Sequence, residues 1–135
     1  MPITVQWDDD EKRVVRYTFD GKWTWDEYHS AIANAFDLVK DLPYIVNMLL
    51  DFSASNLFPS NALSHFAGSM KTPPRDYDAV VVVTRSRFVE TIASVISRLS
   101  GRIGKKIIVV KTLDEGRAYL ATLEKRVIGA GVIRG

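Results

Sequence analysis

Residues 44–52 read YIVNMLLDF, an almost wholly apolar run that begins after Pro43 and ends at Ser53. A run of this length, apolar at both alternating positions, is typical of a central strand covered on both faces by helices. A second short apolar run, Ala79–Val83, follows after one segment with helical spacing. Two buried strands separated by a helix indicate a parallel β-α-β crossover, so the sequence predicts an α/β fold.

Two strands and a helix are predicted on the amino-terminal side of this run. Ile3–Trp7 and Val14–Phe19 flank an acidic turn at residues 8–11, which favours an antiparallel hairpin. Residues 24–27, Thr-Trp-Asp-Glu, form a capping box that predicts a helix to about residue 40. Helical spacing gives this helix an apolar face of Trp25, Tyr28, Ile32, Ala35, Phe36 and Val39.

Helices and strands are also predicted to alternate on the carboxyl-terminal side. A loop at residues 54–59 leads to a short helix, and Ala79–Val83 is followed by a second helix. The core-facing residues of that second helix are predicted to be Phe88, Ile92, Val95, Ile96 and Leu99. Lys106–Val110 is the last predicted strand, and a capping box at residues 112–115 opens the last helix.

The chain is predicted to form one domain over residues 1–135, with its elements in the order β-β-α-β-α-β-α-β-α. Repeated crossovers require a mostly parallel sheet, to which the hairpin adds one antiparallel edge strand. Residues 127–135 form an apolar, Gly-rich tail that is expected either to fray or to pack on a partner subunit.

Composition excludes several classes of protein. The chain has 135 residues, 47% apolar and 25% charged, so it is too apolar to be disordered and can bury a core. It has no Cys, which excludes disulfides, thiolate metal sites and a cysteine nucleophile. The amino terminus lacks signal-peptide features, and no apolar run approaches the roughly 20 residues of a membrane helix. We therefore expect a soluble cytoplasmic domain without membrane insertion.

The net charge of +2 conceals an asymmetry between the two halves. Residues 1–67 carry 5 basic and 10 acidic residues, and residues 68–135 carry 13 and 6, giving net charges of −5 and +7. Such a division is found with anion-binding faces, with head-to-tail self-association and with ordinary solvated surfaces. No recognition-helix or stacking-strand motif accompanies the basic residues, so no nucleic-acid partner is predicted.

Polar side chains are expected to gather at the carboxyl edge of the sheet, where open α/β sheets bind ligands. Asp51 and Ser53 end the central strand, and the next strand is followed by Thr84-Arg85-Ser86-Arg87. This second segment is suited either to binding a phosphate or carboxylate, or simply to capping a helix through Ser86 between two solvated arginines. Leu57 and Phe58 lie in the loop between, where exposure would make them a self-association patch or the mouth of a ligand site.

The residues predict no enzyme, no metal site and no cofactor. His29 and His65 each lie on a helix, and neither is followed three or four residues later by His, Asp or Glu. Such a residue would complete a metal or acid–base pair, so ordinary surface histidines are the expected interpretation. Gly101–Lys106 has the wrong spacing for a phosphate loop, and the chain has no nucleophile-elbow serine.

Four segments, taken in their order along the chain, carry a resemblance to a known family. They are Gly21–Tyr28, Leu49–Ser53, the apolar strand before Thr84, and Leu113–Leu120. Together with the element order, they resemble the STAS domain of anti-sigma-factor antagonists, and more closely its SpoIIAA-like branch. The resemblance covers about residues 14–123. It implies an α/β sandwich with a regulatory, protein-interaction role in a bacterial cytoplasm.

The resemblance also implies where a phosphorylation site would lie. In STAS switch proteins an Asp-Ser-Ser-Gly helix start follows the strand, and its second Ser accepts the phosphate. Counted from Asp51, the matching residues are Pro59-Ser60-Asn61-Ala62. Asn61 holds the acceptor position without a hydroxyl, which leaves Ser60 as the candidate phosphosite, although Ser is also a common helix cap.

Two functions follow as expectations. The first is a non-catalytic regulatory or protein-interaction module, a homodimer that uses the loop from Ser53 to Pro59 together with Ser60 and Asn61. The alternative is a carrier of a small anionic or lipid-like ligand at the same edge, because SpoIIAA-like proteins look related to lipid-binding α/β domains. An interaction module should present an exposed patch, whereas a carrier should enclose several hundred Å³ with a few convergent polar groups.

Overall fold

The computed structural model of the chain describes residues 2–55, 57–71, 79–99 and 106–134, and the side chains among them except those of 70, 71 and 124–134. The strands in this part are β1 Ile3–Trp7, β2 Val14–Asp20, β3 Asn47–Ala54, β4 Val80–Val83 and β5 Ile107–Val110. The helices are α1 Trp25–Val39, α2 Ala62–Lys71, α3 Arg87–Leu99 and α4 Leu113–Arg134. None of the helices in these ranges combines the length and apolar character that crossing a bilayer needs.

The five described strands form one mixed sheet in the order β1-β2-β3-β4-β5. β1 is antiparallel to β2, and the other neighbouring pairs are parallel. The α/β class and the single antiparallel edge strand are therefore confirmed. β3 begins at Asn47 rather than at Tyr44, because its neighbours begin there: Val14 of β2 lies opposite Asn47, and Val80 of β4 lies opposite Met48.

Because the strand order follows the chain order, right-handed crossovers would bring their helices to one face of the sheet. The observed side-chain contacts agree with this placement. Tyr28 of α1, Phe66 of α2 and Val89 of α3 pack in one core with alternate residues of β2, β3 and β4. The opposite face carries a second core, in which Leu120 and Leu123 of α4 cover Leu49, Val81 and Val83. α4 is helical through Arg134, so most of the predicted tail continues this helix.

Three residues predicted to face the core are instead exposed: Phe36 (41%), Phe88 (52%) and Leu99 (73%). The buried stripe of α1 is Tyr28, Ala31, Ala35 and Val39, and that of α3 is Val89, Ile92, Ala93 and Ile96. Each stripe is rotated slightly from the predicted one, because small alanines allow the helix to approach the sheet where a larger side chain would not fit. Ile92, Ile96, Tyr28, Ala35 and Val39 are buried as predicted.

The Asp8 carboxylate joins the hairpin to α4. It lies 2.6 Å from Nη1 of Arg16 and 2.9 Å from Nη2 of Arg117, and its side chain is only 7% exposed. Burial acts to raise the pKa of Asp8, but hydrogen bonds and charge from the two guanidiniums outweigh it, so the pKa is lowered. The ionised carboxylate therefore stabilises the contact between the two elements.

Candidate functional site

Asp51 is buried and lies in β3 opposite Val83, the last residue of β4, whereas β3 itself continues past the predicted end at Phe52 to Ala54. The backbone N–H of Ser53 donates to Oδ1 of Asp51 at 3.0 Å, and the Ser53 hydroxyl donates to the same oxygen at 2.5 Å. Two of the predicted site residues thus satisfy each other. Both residues lie within β3, and their contact engages one of the carboxylate oxygens within the chain.

The segment after β4 caps α3. The hydroxyl of Thr84, which is 1% exposed, accepts the backbone N–H of Ser86 at 3.0 Å. The hydroxyl of Ser86 in turn accepts the backbone N–H of Val89 at 3.4 Å, and its carbonyl accepts that of Glu90. Ser86 is therefore the helix cap, one of the two roles open to it from sequence.

Arg85 and Arg87 flank this cap and are exposed. Within the described residues, neither guanidinium forms an ion pair or a side-chain hydrogen bond. Both positive charges are consequently available to an external carboxylate or phosphate.

The two apolar residues of the loop before α2 differ in their exposure. Leu57 is 52% exposed, as a surface patch requires. Phe58, in contrast, is half-buried, with its ring centroid 5.6 Å from that of Trp23 and 5.4 Å from that of Phe52. Phe58 therefore does not share the exposure of Leu57, because an aromatic cluster below the loop accepts its ring.

Phe58 also contacts Phe88, with 5.6 Å between ring centroids, and this contact joins the loop to the first turn of α3. Phe88 was expected in the core and is instead 52% exposed, beside Arg87. We use the name edge surface for the set of Leu57, Phe58, Arg85, Arg87 and Phe88. It combines two exposed apolar side chains with two unpaired cations at the carboxyl edge of the sheet.

The sequence left Ser60 either as a helix cap or as a phosphosite, and in the structure it lies one residue outside the cap. Helix α2 begins at Ala62, and the carbonyl of Asn61 accepts the backbone N–H of His65 at 3.2 Å, so Asn61 holds the cap position. Asn61 has φ +65°, a left-handed conformation that Asn tolerates better than most residues. Ser60 is exposed outside the cap, and its carbonyl accepts the indole N–H of Trp25 at 2.6 Å.

Two buried polar contacts beneath the loop have no sequence signal. The indole N–H of Trp23 donates to the hydroxyl of Ser55 at 3.0 Å, and that hydroxyl donates to the carbonyl of Gly21 at 2.9 Å. The residues lie more than 30 positions apart, and only the fold brings them together. They hold the start of the loop against the end of β2.

Tyr28 and the two histidines form a second polar group, between α1 and α2. The Tyr28 hydroxyl lies 2.7 Å from that of Ser69, and burial raises the pKa of Tyr28 to about 12 although this hydrogen bond works in the opposite direction. Nε2 of His29 lies 3.2 Å from Nδ1 of His65. The His65 ring stacks on Trp25, with 4.2 Å between centroids and 9° between planes. Sequence spacing could not reveal this pair, because its members lie on different helices.

The part of the chain that the structure describes contains no cluster of three or more His, Asp or Glu side chains placed to hold a metal ion. It does contain one apolar cavity of about 60 Å³ in the main core, under α3. Tyr28 is the only lining residue with a polar side chain among Tyr28, Leu50, Phe52, Phe66, Val80, Val82, Val89, Ile92, Ala93, Ile96 and Ile107.

No protein-family model and no curated protein matches the chain. Function is therefore inferred from the edge surface, the cavity and the histidine pair.

Proposed function

We propose that the protein is a non-catalytic, cytoplasmic regulatory module that binds a partner protein at the edge surface. The observation that carries this proposal is the contact between Phe58 and Phe88, which fixes the loop against α3. Leu57 and Phe88 are both exposed, and Arg87, next to Phe88 in α3, is exposed and without an ion pair among the described residues, as is Arg85. The partner segment that fits this chemistry is an apolar side chain flanked by carboxylates.

Interface energetics support this choice of surface. Aromatic residues and Arg are enriched at interfaces and supply most binding hot spots. Phe88 rests on Phe58, so little side-chain freedom is lost when a partner covers it. The two guanidiniums are able to pair with carboxylates in bidentate geometry. The edge surface therefore supplies both an apolar anchor and a charge preference.

The observed α/β topology supports the finer proposal that the chain is a SpoIIAA-like, STAS-type domain, because it has the element order on which that resemblance rested. The proposal does not include a phosphoswitch. Asn61 has no hydroxyl, and Ser60 lies one residue before the cap, farther from the free backbone N–H groups of α2. Phosphate mapped to Ser60 by mass spectrometry of protein from its native host would instead support a phosphoswitch.

The proposal is tested by selecting displayed random peptides against the wild type. We expect enriched peptides that combine Leu or Phe with Asp or Glu. Their affinity should fall at least about tenfold for the double variant Leu57→Ser/Phe88→Ser, since truncating an interface hot spot costs about 2 kcal/mol or more. Leu99→Ser is the matched control, because it removes an apolar side chain that is 73% exposed at the other end of α3. Ligands that bind all three proteins equally would contradict the proposal.

Homodimer formation is a separate part of the proposal, and sedimentation velocity tests it. We expect the wild type and Leu99→Ser to be dimers and the double variant at Leu57 and Phe88 to be a monomer. A symmetric interface would bring arginines of both copies together, so salt should strengthen it by screening their repulsion. Salt should instead weaken binding of an acidic peptide. A wild-type monomer at every concentration and salt would exclude the dimer.

A second candidate function is a small-ligand carrier, for which the apolar cavity in the main core is the candidate site. Its volume of about 60 Å³ is below the roughly 150 Å³ that admits benzene and far below that of lipid pockets. At the carboxyl edge, the Ser53 and Ser86 hydroxyls already have partners within the chain. Native mass spectrometry of protein from its host decides: a non-covalent adduct lost on denaturation would favour the carrier.

A further inference from the structure

The two histidines of the chain meet across the α1–α2 interface, although they lie 36 positions apart. Nε2 of His29 and Nδ1 of His65 are 3.2 Å apart, and both rings line a surface groove with Ile32, Ser64, Gly68 and Ser69. Within the described residues, neither imidazole forms an ion pair with a carboxylate. The two ring nitrogens therefore face each other at a place that solvent reaches.

This separation suits a shared metal ion as well as a hydrogen bond. A Zn–N bond of about 2.0–2.1 Å places two nitrogens on a tetrahedral ion about 3.3 Å apart, and a 90° angle places them about 2.9 Å apart. The observed 3.2 Å lies between these values. A neutral imidazole offers one lone pair to a metal ion, so the pair can supply two nitrogen ligands at a separation that one ion accepts. Binding requires the rings to turn so that both lone pairs point at the ion while this separation is kept.

Neighbouring rings hold the pair in place. His65 stacks on Trp25, whose own indole N–H is anchored on the Ser60 carbonyl at 2.6 Å. The His29 ring lies against the edge of Tyr28, with 5.4 Å between centroids, and Tyr28 is buried. Contacts that orient metal-binding imidazoles in advance raise affinity, because less freedom is lost on binding.

We propose that His29 and His65 form a two-histidine site for a late first-row divalent transition metal. Imidazole suits Cu²⁺, Ni²⁺ and Zn²⁺, and the general order of affinities places Cu²⁺ tightest. Water fills the remaining positions, because the described part of the chain has no third His, Asp or Glu in the cluster. The bound ion is exchangeable and keeps open coordination positions toward the groove. This site shares no residue with the edge surface.

The test is isothermal titration of tag-free protein with Cu²⁺, Zn²⁺ and Mg²⁺ as separate probes. We expect one site per chain for Cu²⁺ and Zn²⁺, with Cu²⁺ tighter, and none for Mg²⁺. His29→Gln and His65→Gln should each weaken binding at least about tenfold, since loss of even an outer-shell partner costs 10–100-fold. Ser30→Ala, on the same turn of α1 as His29, is the matched control and should bind as the wild type does.

Two further readouts identify the ligating atoms. Cu²⁺ should quench the fluorescence of Trp25, which stacks on a ligand ring, and Trp25→Phe should remove that part of the quenching. Acidification should release the ion, because protons compete with the metal for the imidazole nitrogens. Circular dichroism confirms that both histidine variants are folded.

Three outcomes would overturn the proposal. The first is no saturable binding by the wild type. The second is binding unchanged in both histidine variants, which would place the ion elsewhere. The third is a loss in only one variant, which would indicate a single surface histidine and leave the pair a plain hydrogen bond.

Discussion

Gly68 and Gly116 both lie in helices but differ in the space around them. This difference predicts opposite effects of a Gly→Ala substitution on stability. A Cβ added to Gly116, in the first turns of α4, would lie 3.0 Å from Cγ1 of Val81 and 3.1 Å from Cδ1 of Leu49. Both neighbours are fully buried in the sheet, and Val81 is β-branched, so neither has room to move. A Cβ added to Gly68, in α2, would meet nothing within 4 Å.

The expected magnitudes follow from these distances. Ala in a helix is about 1 kcal/mol more favourable than Gly, and this gain applies to both positions. At Gly116 overpacking costs about 1–3 kcal/mol, which exceeds the gain. Gly68→Ala should therefore raise the free energy of unfolding by about 1 kcal/mol, and Gly116→Ala should lower it by about 1 kcal/mol. The two variants should differ by about 5–10 °C in Tm.

Urea unfolding followed by far-UV circular dichroism measures both changes. Gly68→Ala is the matched control, because it carries the same propensity gain without the packing cost. If Gly116→Ala were as stabilising as Gly68→Ala, α4 would be able to move away from the sheet at no cost. The reasoning that the Gly116 contact fixes the distance between α4 and the sheet would then be refuted.

Three other substitutions test individual polar contacts by the same unfolding assay. Asp8→Asn should lower the free energy of unfolding by about 1–3 kcal/mol at pH 7. Because the folded-state pKa of Asp8 is lowered, this difference should persist above about pH 4 and disappear as the pH falls further; a constant difference down to pH 2 would contradict the ionic origin. Ser55→Ala should cost about 1–3 kcal/mol, since it leaves the buried indole N–H of Trp23 unpaired; a neutral effect would show that water replaces the hydroxyl. Burial raises the pKa of Tyr28 to about 12. The contribution of its neutral side chain to the free energy of unfolding is therefore complete below about pH 10 and is lost as the pH rises toward 12. Tyr28→Phe should therefore show about 2–3 kcal/mol less alkaline destabilisation than the wild type, and equal alkaline profiles would exclude the assignment.

The sequence was sufficient for the sheet because its central strands have short, continuous apolar runs. Residues 44–52 and 79–83 allow few other interpretations, and the crossover rule then sets their direction. The helix faces were less predictable. Phe88 and Leu99 lie beside the buried stripe of α3, and periodicity cannot choose between neighbouring stripes when both contain large apolar residues.

In the candidate site, too, local contacts could be predicted from the sequence and distant contacts could not. Ser86 as a cap and Asp51 in a central strand depend on a few adjacent residues, and both were among the interpretations that the sequence offered. Ser60 and Asn61 are both good cap residues, and the choice between them depends on where α2 begins, which the preceding loop sets. The contact of Phe58 with Phe88 requires knowledge of how α3 is rotated, so it was inaccessible from sequence.

Trp25 connects the two proposed sites. Its ring stacks on His65, and its indole N–H holds the carbonyl of Ser60 in the loop that carries Leu57. An ion that shifted His65 would therefore act on this loop through a single side chain. Any such effect is reciprocal, since a metal that changes affinity for a partner must be affected by that partner by the same factor. A metal-dependent affinity at the edge surface, abolished by Trp25→Phe, would thus identify this residue as the link, because phenylalanine keeps the stacked ring but loses the bond to Ser60.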